Sequence, residues 1–116
     1  MYSLTSANRY YLYQGFVRMN LGIDGLFKII RLEMKDLSPV SGDIFLFFGK
    51  NRQSVKILRW DGDGFLLYYK RLEGGSFELP TITPHTGNYE ISYQVLSFIL
   101  NGVSLKSVRL RKRFRI

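Results

Sequence analysis

Three strand-like segments in the middle of the chain, separated only by short polar or glycine-rich connections, limit the folds open to it. Residues 43–49, 54–60 and 65–72 are rich in aromatic and branched apolar side chains, which favour strands. The connection of residues 61–64, Asp-Gly-Asp-Gly, supplies residues that accept the positive φ angles of tight hairpin turns. Because hairpins join neighbouring antiparallel strands, the three segments predict an antiparallel meander.

Two further stretches repeat apolar residues at spacings of three and four, the pattern that lines one face of a helix. The first stretch begins near Asp24, whose negative charge suits a first helical turn, and ends before Pro39. The second stretch has Ser92 as its N-cap and ends at Gly102. The inward positions are Ile23, Leu26, Phe27, Ile30, Met34 and Leu37 in the first stretch, and Val95, Leu96, Ile99 and Leu100 in the second.

Together these elements predict the fold class. Residues 10–13, followed by Gly15, add a first strand before the meander. Residues 77–79 suggest a short strand before Pro80, and residues 81–88 are expected to form a loop. We therefore expect an α+β domain, with an antiparallel β-meander of about four to five strands and two helices packed on one face.

The C-terminal residues 106–116 form a cationic tail behind a nearly neutral body. At 116 residues the chain has room for one domain, which we place at residues 1–105. The net charge of +8 comes from 17 basic and 9 acidic residues; six of the basic residues are in the tail, which leaves 11 against 9, or +2, elsewhere. Such a cluster predicts contact with an anionic polymer or an acidic partner surface. The six cations are Lys106, Arg109, Arg111, Lys112, Arg113 and Arg115.

Two interpretations of this tail stay open. Apolar residues alternate with arginines from Val108 onward, with Lys112 as the exception, so an extended tail would present a row of arginines on one side. The alternative is a solubilising or unstructured terminus. A separate pair of interpretations concerns Lys56, Lys70 and Arg71, which either extend the basic surface begun by the tail or are solvated strand residues with local ion pairing.

Residues suited to catalysis or metal binding are sparse and scattered. The chain has no cysteine and a single histidine, His85, which excludes disulfides and cysteine or multi-histidine metal sites. Asp24, Asp43, Asp61 and Glu73 would form an acidic metal cluster only if folding brought them together, and each has a local structural explanation. The Asp-Gly-Asp-Gly connection lacks the further ligands of a calcium loop. We expect no enzymatic activity, no metal and no cofactor.

No export signal or membrane span is visible in the sequence. The first 13 residues are polar and aromatic, and the longest apolar run, residues 44–48, is far shorter than the roughly 20 residues that cross a bilayer. We expect a cytoplasmic protein without a membrane partner.

Several short motifs, in a fixed order, together resemble one family. The stretch of residues 15–26 ends in Gly22-Ile23-Asp24-Gly25-Leu26; it is followed by Ser41-Gly42 with Phe45, Phe47 and Lys56, by Trp60-Asp61-Gly62 with Gly64, by Lys70-Arg71-Leu72-Glu73 with Gly75, Phe77 and Pro80, and by Ile91-Ser92 with Leu96, Leu100 and Gly102. Over residues 8–105 this pattern resembles the small accessory proteins, of the TnpB type, of the insertion sequence 66 family of bacterial transposable elements.

The resemblance differs from the family pattern at one place. The family often has Asp-Met-Arg-Lys before the glycine of its opening motif, whereas this chain has Arg18-Met19-Asn20-Leu21. Arg18 thus replaces the acid and Asn20 replaces the arginine, so no role that depends on that pair is carried over. The basic tail lies beyond the shared pattern, and its role is inferred from its charge.

The resemblance implies an accessory protein for transposition that works beside a separate transposase, which carries the acidic catalytic centre. Our hypothesis is that the tail, helped by Lys70 and Arg71, contacts DNA phosphates without reading sequence. The alternative is a protein–protein adaptor that docks on the transposase or on another accessory protein of the element without touching DNA. An undetected enzyme is a third possibility, and it would require Asp24, Asp43 and Asp61 to converge.

Overall fold

The computed structural model describes residues 4–80 and 89–102 and shows one five-stranded sheet with two helices. In chain order the elements are β1 (Tyr10–Phe16), α1 (Ile23–Glu33), β2 (Ile44–Phe48), β3 (Ser54–Trp60), β4 (Phe65–Arg71), β5 (Glu90–Ile91) and α2 (Tyr93–Asn101). The strands lie side by side in the order β4-β3-β2-β1-β5. The α+β class is confirmed. The predicted loop at 81–88 and the tail at 106–116 lie outside the described residues.

The meander of β2, β3 and β4 is present as predicted, but the sheet as a whole is mixed. β2 pairs antiparallel with β3, and β3 pairs antiparallel with β4. The turn at residues 61–64 closes with a hydrogen bond from the Asp61 N–H to the Gly64 carbonyl, and Gly62 has a φ of 80°. β1, in contrast, runs parallel to β2. Because α1 connects these two strands, the chain crosses back before it re-enters the sheet, as parallel neighbours require.

The helices pack on opposite faces of the sheet, so the prediction that both cover one face is wrong. α1 places Leu26 and Ile30 against Phe45 and Phe47 of β2. α2 packs against the other side of the same strand. The physical reason is that β2 is apolar and buried at all five positions. Successive strand residues point to opposite faces, so both faces of β2 need a cover.

α2 belongs to the second core. Leu96 and Ile99 pack with Ile44 and Leu46 of β2. As predicted, Ser92 is the N-cap, and its hydroxyl oxygen accepts a hydrogen bond from the Val95 N–H at 3.1 Å. Gly102 ends the helix with a left-handed φ of 75°, the backbone conformation in which glycine is favoured.

Four details of the elements differ from the sequence-based expectation. β1 continues to Phe16 instead of ending at residue 13. α1 ends at Glu33, because Met34 leaves the helical conformation while its N–H still bonds the Ile30 carbonyl. Residues 77–79 are not a strand, although Phe77 is buried and its N–H donates to the Arg52 carbonyl at 2.6 Å. The two-residue strand β5 has no counterpart in the sequence-based prediction.

Within the described residues, no helix has the length and apolarity that a membrane span needs.

Candidate nucleic-acid interface

The strand order brings basic residues from several segments to one end of the sheet. Phe16 at the end of β1 pairs with Phe48 at the end of β2, Phe48 pairs with Val55 near the start of β3, and Val55 pairs with Lys70 at the end of β4. Residues near these positions in all four strands therefore meet at the same level. We call this surface the basic end; its members are Arg18, Lys50, Arg52, Lys56, Lys70 and Arg71.

The opposite end of the sheet has the opposite charge. Asp43 precedes β2, Asp61 and Asp63 lie in the turn between β3 and β4, and Glu90 lies in β5 next to β1. Because α1 runs back toward the start of β2, its last turn and the residues after it lie at that end too. Among the described residues, the acids there are Glu33, Asp36, Asp43, Asp61, Asp63 and Glu90, and the basic side chains are Arg9, Arg31, Lys35 and Arg59. We call this end, where acids outnumber basic residues, the acidic end. Three acids, Asp24, Glu73 and Glu78, lie nearer the basic end. The described body, nearly neutral as a whole, is therefore polarised, with an excess of cations where the strands β1, β2 and β4 end.

Lys70 and Arg71, the two predicted site residues inside the described part of the chain, point to opposite faces. They are neighbours on a strand, and alternation separates them. The Lys70 ammonium donates to the Leu100 carbonyl at 3.1 Å, on the α2 side. The Arg71 guanidinium donates to the Glu73 carboxylate at 3.0 Å, with both side chains mostly exposed. That hydrogen bond raises the pKa of Arg71. Such an exposed pair contributes little stability.

Lys56 is more constrained than the other members of the basic end. Its ammonium donates to the Leu21 carbonyl at 2.7 Å and lies 5.6 Å from the centre of the Tyr69 ring. The first contact joins β3 to the segment that leads into α1. Lys56 therefore holds part of the structure together at this end, whereas Arg18, Lys50 and Arg52 are exposed side chains.

The turn between β2 and β3 presents two of these exposed cations on a braced backbone. Arg52 has a φ of 59°, its N–H donates to the Gly49 carbonyl at 2.9 Å, and its own carbonyl accepts from Phe77. The Asn51 side-chain oxygen accepts from the Gln53 N–H at 3.1 Å. Left-handed backbone is unfavourable for residues other than glycine. The fold thus keeps an arginine where glycine would be less strained.

A groove lies beside this turn. It is open, has a volume of about 780 Å³, and is lined by described residues none of which is acidic. Phe16 lines it and is 46% exposed. The remaining lining residues are Val17, Arg18, Met19, Lys50 and Asn51. The segment that departs from the family pattern, residues 18–21, therefore contributes Arg18 and Met19 to this surface.

The path of the chain connects the basic end to the tail. α2 ends at Asn101, and the Leu100 carbonyl in its last turn contacts Lys70. The chain therefore leaves α2 beside the basic end. The predicted site residues Lys106, Arg109, Arg111, Lys112, Arg113 and Arg115 follow within the next 14 residues and lie outside the described part of the structure.

The three aspartates considered for an acidic centre are divided between the two ends of the sheet. Asp43 and Asp61 lie at the acidic end, where Asp43 accepts a hydrogen bond from the Ser41 hydroxyl at 2.9 Å. Asp24 lies in the first turn of α1, which follows Leu21 at the other end. Across residues 4–80 and 89–102, no group of three or more histidine, cysteine or acidic side chains is positioned to hold a metal ion. Folding thus does not bring these three aspartates together.

Sequence reasoning named Lys56, Lys70 and Arg71 but missed the other half of the basic end. Arg18 lies in one segment, and Lys50 and Arg52 lie in another. Neither segment contains a run of basic residues that would predict a binding surface. Only the pairing of the strands brings them to the side of the sheet where Lys70 and Arg71 lie. Phe16 was also missed, because an aromatic residue at a strand end is normally interpreted as part of the core.

Comparison with known proteins places the chain in context. A family model described as "IS66 Orf2 like protein" matches residues 8–110. The chain is 32% identical over 95 residues to the uncharacterized protein y4hO of Sinorhizobium fredii, an alignment that covers 82% of this chain and 80% of the relative. It is 30% identical over 88 residues to the uncharacterized protein y4jC of the same organism, covering 76% and 73%. No solved structure matches the chain.

Proposed function

This chain belongs to the IS66 Orf2-like family, which supports an accessory role in transposition, and we propose that it fills that role by holding DNA through the phosphate backbone. The contact would be made by the tail together with the basic end of the sheet. In this proposal the protein performs no chemistry on DNA, and strand cutting and joining belong to the transposase.

The polarised charge of the folded body is the observation that carries the proposal. Six basic residues from separate segments lie at one end of the sheet, and the chain leaves α2 toward its cationic tail next to one of them, Lys70. Cations placed on one surface neutralise phosphates and release condensed counterions, which is the main source of sequence-independent affinity for DNA. A charge spread evenly over the body would not favour one binding surface in this way.

The first test is binding to fluorescent duplex DNA across a salt series, with the full chain and with a chain truncated after Leu105. If all six tail cations engage phosphates, their contribution to the slope of log affinity against log salt is about −5. A full-length chain with those six residues changed to glutamine keeps the length and removes the charge. It should behave like the truncated chain if charge is what matters.

Two results would contradict the proposal. A flat salt response of the full chain would show that phosphate neutralisation does not drive binding. Absence of duplex binding even at low salt, combined with capture of the transposase that survives nuclease treatment, would instead establish the protein–protein adaptor, in which the cations meet an acidic protein surface.

A further inference from the structure

The groove at the basic end combines an exposed aromatic ring with cations. Phe16 forms part of its apolar lining together with Val17 and Met19, and Arg18 and Lys50 bring positive charge to it. Phe16 is 46% exposed, whereas five of the other described phenylalanines, Phe45, Phe47, Phe48, Phe77 and Phe98, are buried. The volume of about 780 Å³ lies within the range of small-ligand sites, about 300–1,000 Å³.

The backbone of β1 is irregular just before Phe16. β1 and β2 pair in one register from Tyr10 to Leu12, and the register has shifted where Phe16 meets Phe48. The shift amounts to two residues, an even number, so Phe16 stays on the same face of the sheet as Leu12 and Phe48. Irregularities of this kind bend a strand. The Val17 N–H then donates to the Phe48 carbonyl at 3.0 Å, which holds the segment after Phe16 against β2.

The polar side chains of the groove offer charge and little else. Both polar atoms of the Asn51 side chain are used within the turn, since the amide donates to the Gln53 side chain at 3.0 Å and the oxygen accepts from the Gln53 N–H. The lining therefore presents a ring, aliphatic surface and two cations. Reading a base edge requires well-placed donors and acceptors, so this lining suits a ligand whose sequence is not read.

We propose that the groove binds an unpaired nucleotide of single-stranded DNA, with the base stacked on Phe16 and the flanking phosphates near Arg18 and Lys50. Aromatic rings beside cations are how proteins hold single strands without sequence preference, because every base has a stacking face. A duplex hides those faces, so the groove adds affinity for single strands alone. The inference rests on the proposed DNA-binding function and adds a site outside the tail.

The test compares a labelled single strand of about 15 nucleotides with its duplex, using fluorescence anisotropy at fixed salt and the full chain. Phe16→Ala should weaken single-strand binding about tenfold and change duplex binding less than about twofold. Phe16→Trp should keep single-strand affinity because it keeps a stacking ring. Leu32→Ala is the matched control, since Leu32 is an exposed apolar residue of α1 outside the groove, and it should change neither affinity.

A second substitution serves as the control for effects on folding. Phe16→Leu keeps most of the apolar volume and removes the aromatic face, so its single-strand affinity should also fall while its thermal unfolding stays near that of the unchanged protein. If single-strand affinity survives in Phe16→Leu and Phe16→Ala, the inference is overturned. It is equally overturned if both DNA forms lose affinity together, or if only capture of the transposase is lost.

The outcomes separate this inference from the proposed function. Loss of duplex binding on removal of the tail tests the proposed function, whereas a selective effect of Phe16 on single strands tests the groove. Suppose that the chain binds duplex DNA with a steep salt dependence and that the Phe16 substitutions leave its single-strand affinity unchanged. The proposed DNA-binding function then stands, and the single-strand site in the groove is refuted.

Discussion

Replacing three exposed cations of the basic end should weaken DNA binding far more than replacing three cations elsewhere. The first variant combines Arg18→Gln, Lys50→Gln and Arg52→Gln. All three side chains are exposed, so the cores on both faces of the sheet stay intact. The substitutions lower the net charge from +8 by three, to +5.

The expected magnitude follows from how many DNA phosphates the variant no longer neutralises. Each neutralised phosphate of duplex DNA contributes about 0.9 to the slope of log affinity against log salt. With three fewer neutralised phosphates, the slope should become shallower by about 2.7. The loss of affinity should be largest at low salt and shrink as the salt concentration rises, because a shallower slope makes the affinities of the two proteins converge.

The control variant carries the same change in net charge at another place. Lys28→Gln, Arg31→Gln and Lys35→Gln alter exposed residues on α1 and just after it. Binding to fluorescent duplex DNA is measured by anisotropy across a salt series for both variants, and thermal unfolding confirms that both are folded. The control should change the slope by less than the share of a single phosphate, about 0.9.

Equal changes of slope in the two triple variants would refute the reasoning, because only the net charge would then matter. An unchanged slope in the Arg18, Lys50 and Arg52 variant, together with a large change on removal of the tail, would show that the tail alone contacts DNA. In that case the clustering of cations by the fold would have no part in binding.

Three smaller predictions follow from local geometry. Arg52→Gly should raise the free energy of unfolding by up to about 1 kcal/mol, because it relieves a left-handed φ of 59°. The same substitution should weaken DNA binding, because it removes a cation of the basic end. A variant that gains stability and keeps its DNA affinity would exclude Arg52 from the interface. Ser92→Ala should lower the free energy of unfolding by about 1 kcal/mol by removing the cap on the Val95 N–H, and urea unfolding should show Ser92→Asn near the original. Burial and the 2.6 Å hydrogen bond to Glu33 raise the pKa of Tyr13 to about 12 from its ordinary 10. The stability contributed by its protonated hydroxyl is therefore complete below pH 10 and is lost as the pH rises through 12. Tyr13→Phe should remove that part of the loss of stability at alkaline pH. If the free energy of unfolding falls equally with pH in both proteins over this range, the prediction is wrong.

Two features of the structure were within reach of the sequence but were misjudged. The run of residues 44–48 is apolar at every position, which is typical of a strand buried on both faces. That pattern already required a cover on each side and argued against placing both helices on one face. The long connection from residues 17 to 43 contains α1, and a helical crossover of this kind is what joins parallel neighbours.

What the sequence determined by itself is local. The helical periodicity, the Ser92 cap, the Gly102 stop and the hairpin at residues 61–64 depend on contacts between residues a few positions apart, and each is present in the structure. The family, too, follows from the order of motifs along the chain and is confirmed by the match over residues 8–110.

Only the tertiary structure decided how the charges are arranged. The body carries two more basic than acidic residues in any fold, and that number says nothing about where they lie. Strand order and register bring Arg18, Lys50 and Lys70 to one end and Asp43 and Asp61 to the other, and they place the exposed ring of Phe16 beside the first group. Pairing between strands joins residues far apart in sequence, so its outcome is set by the packing of the whole sheet rather than by any local pattern.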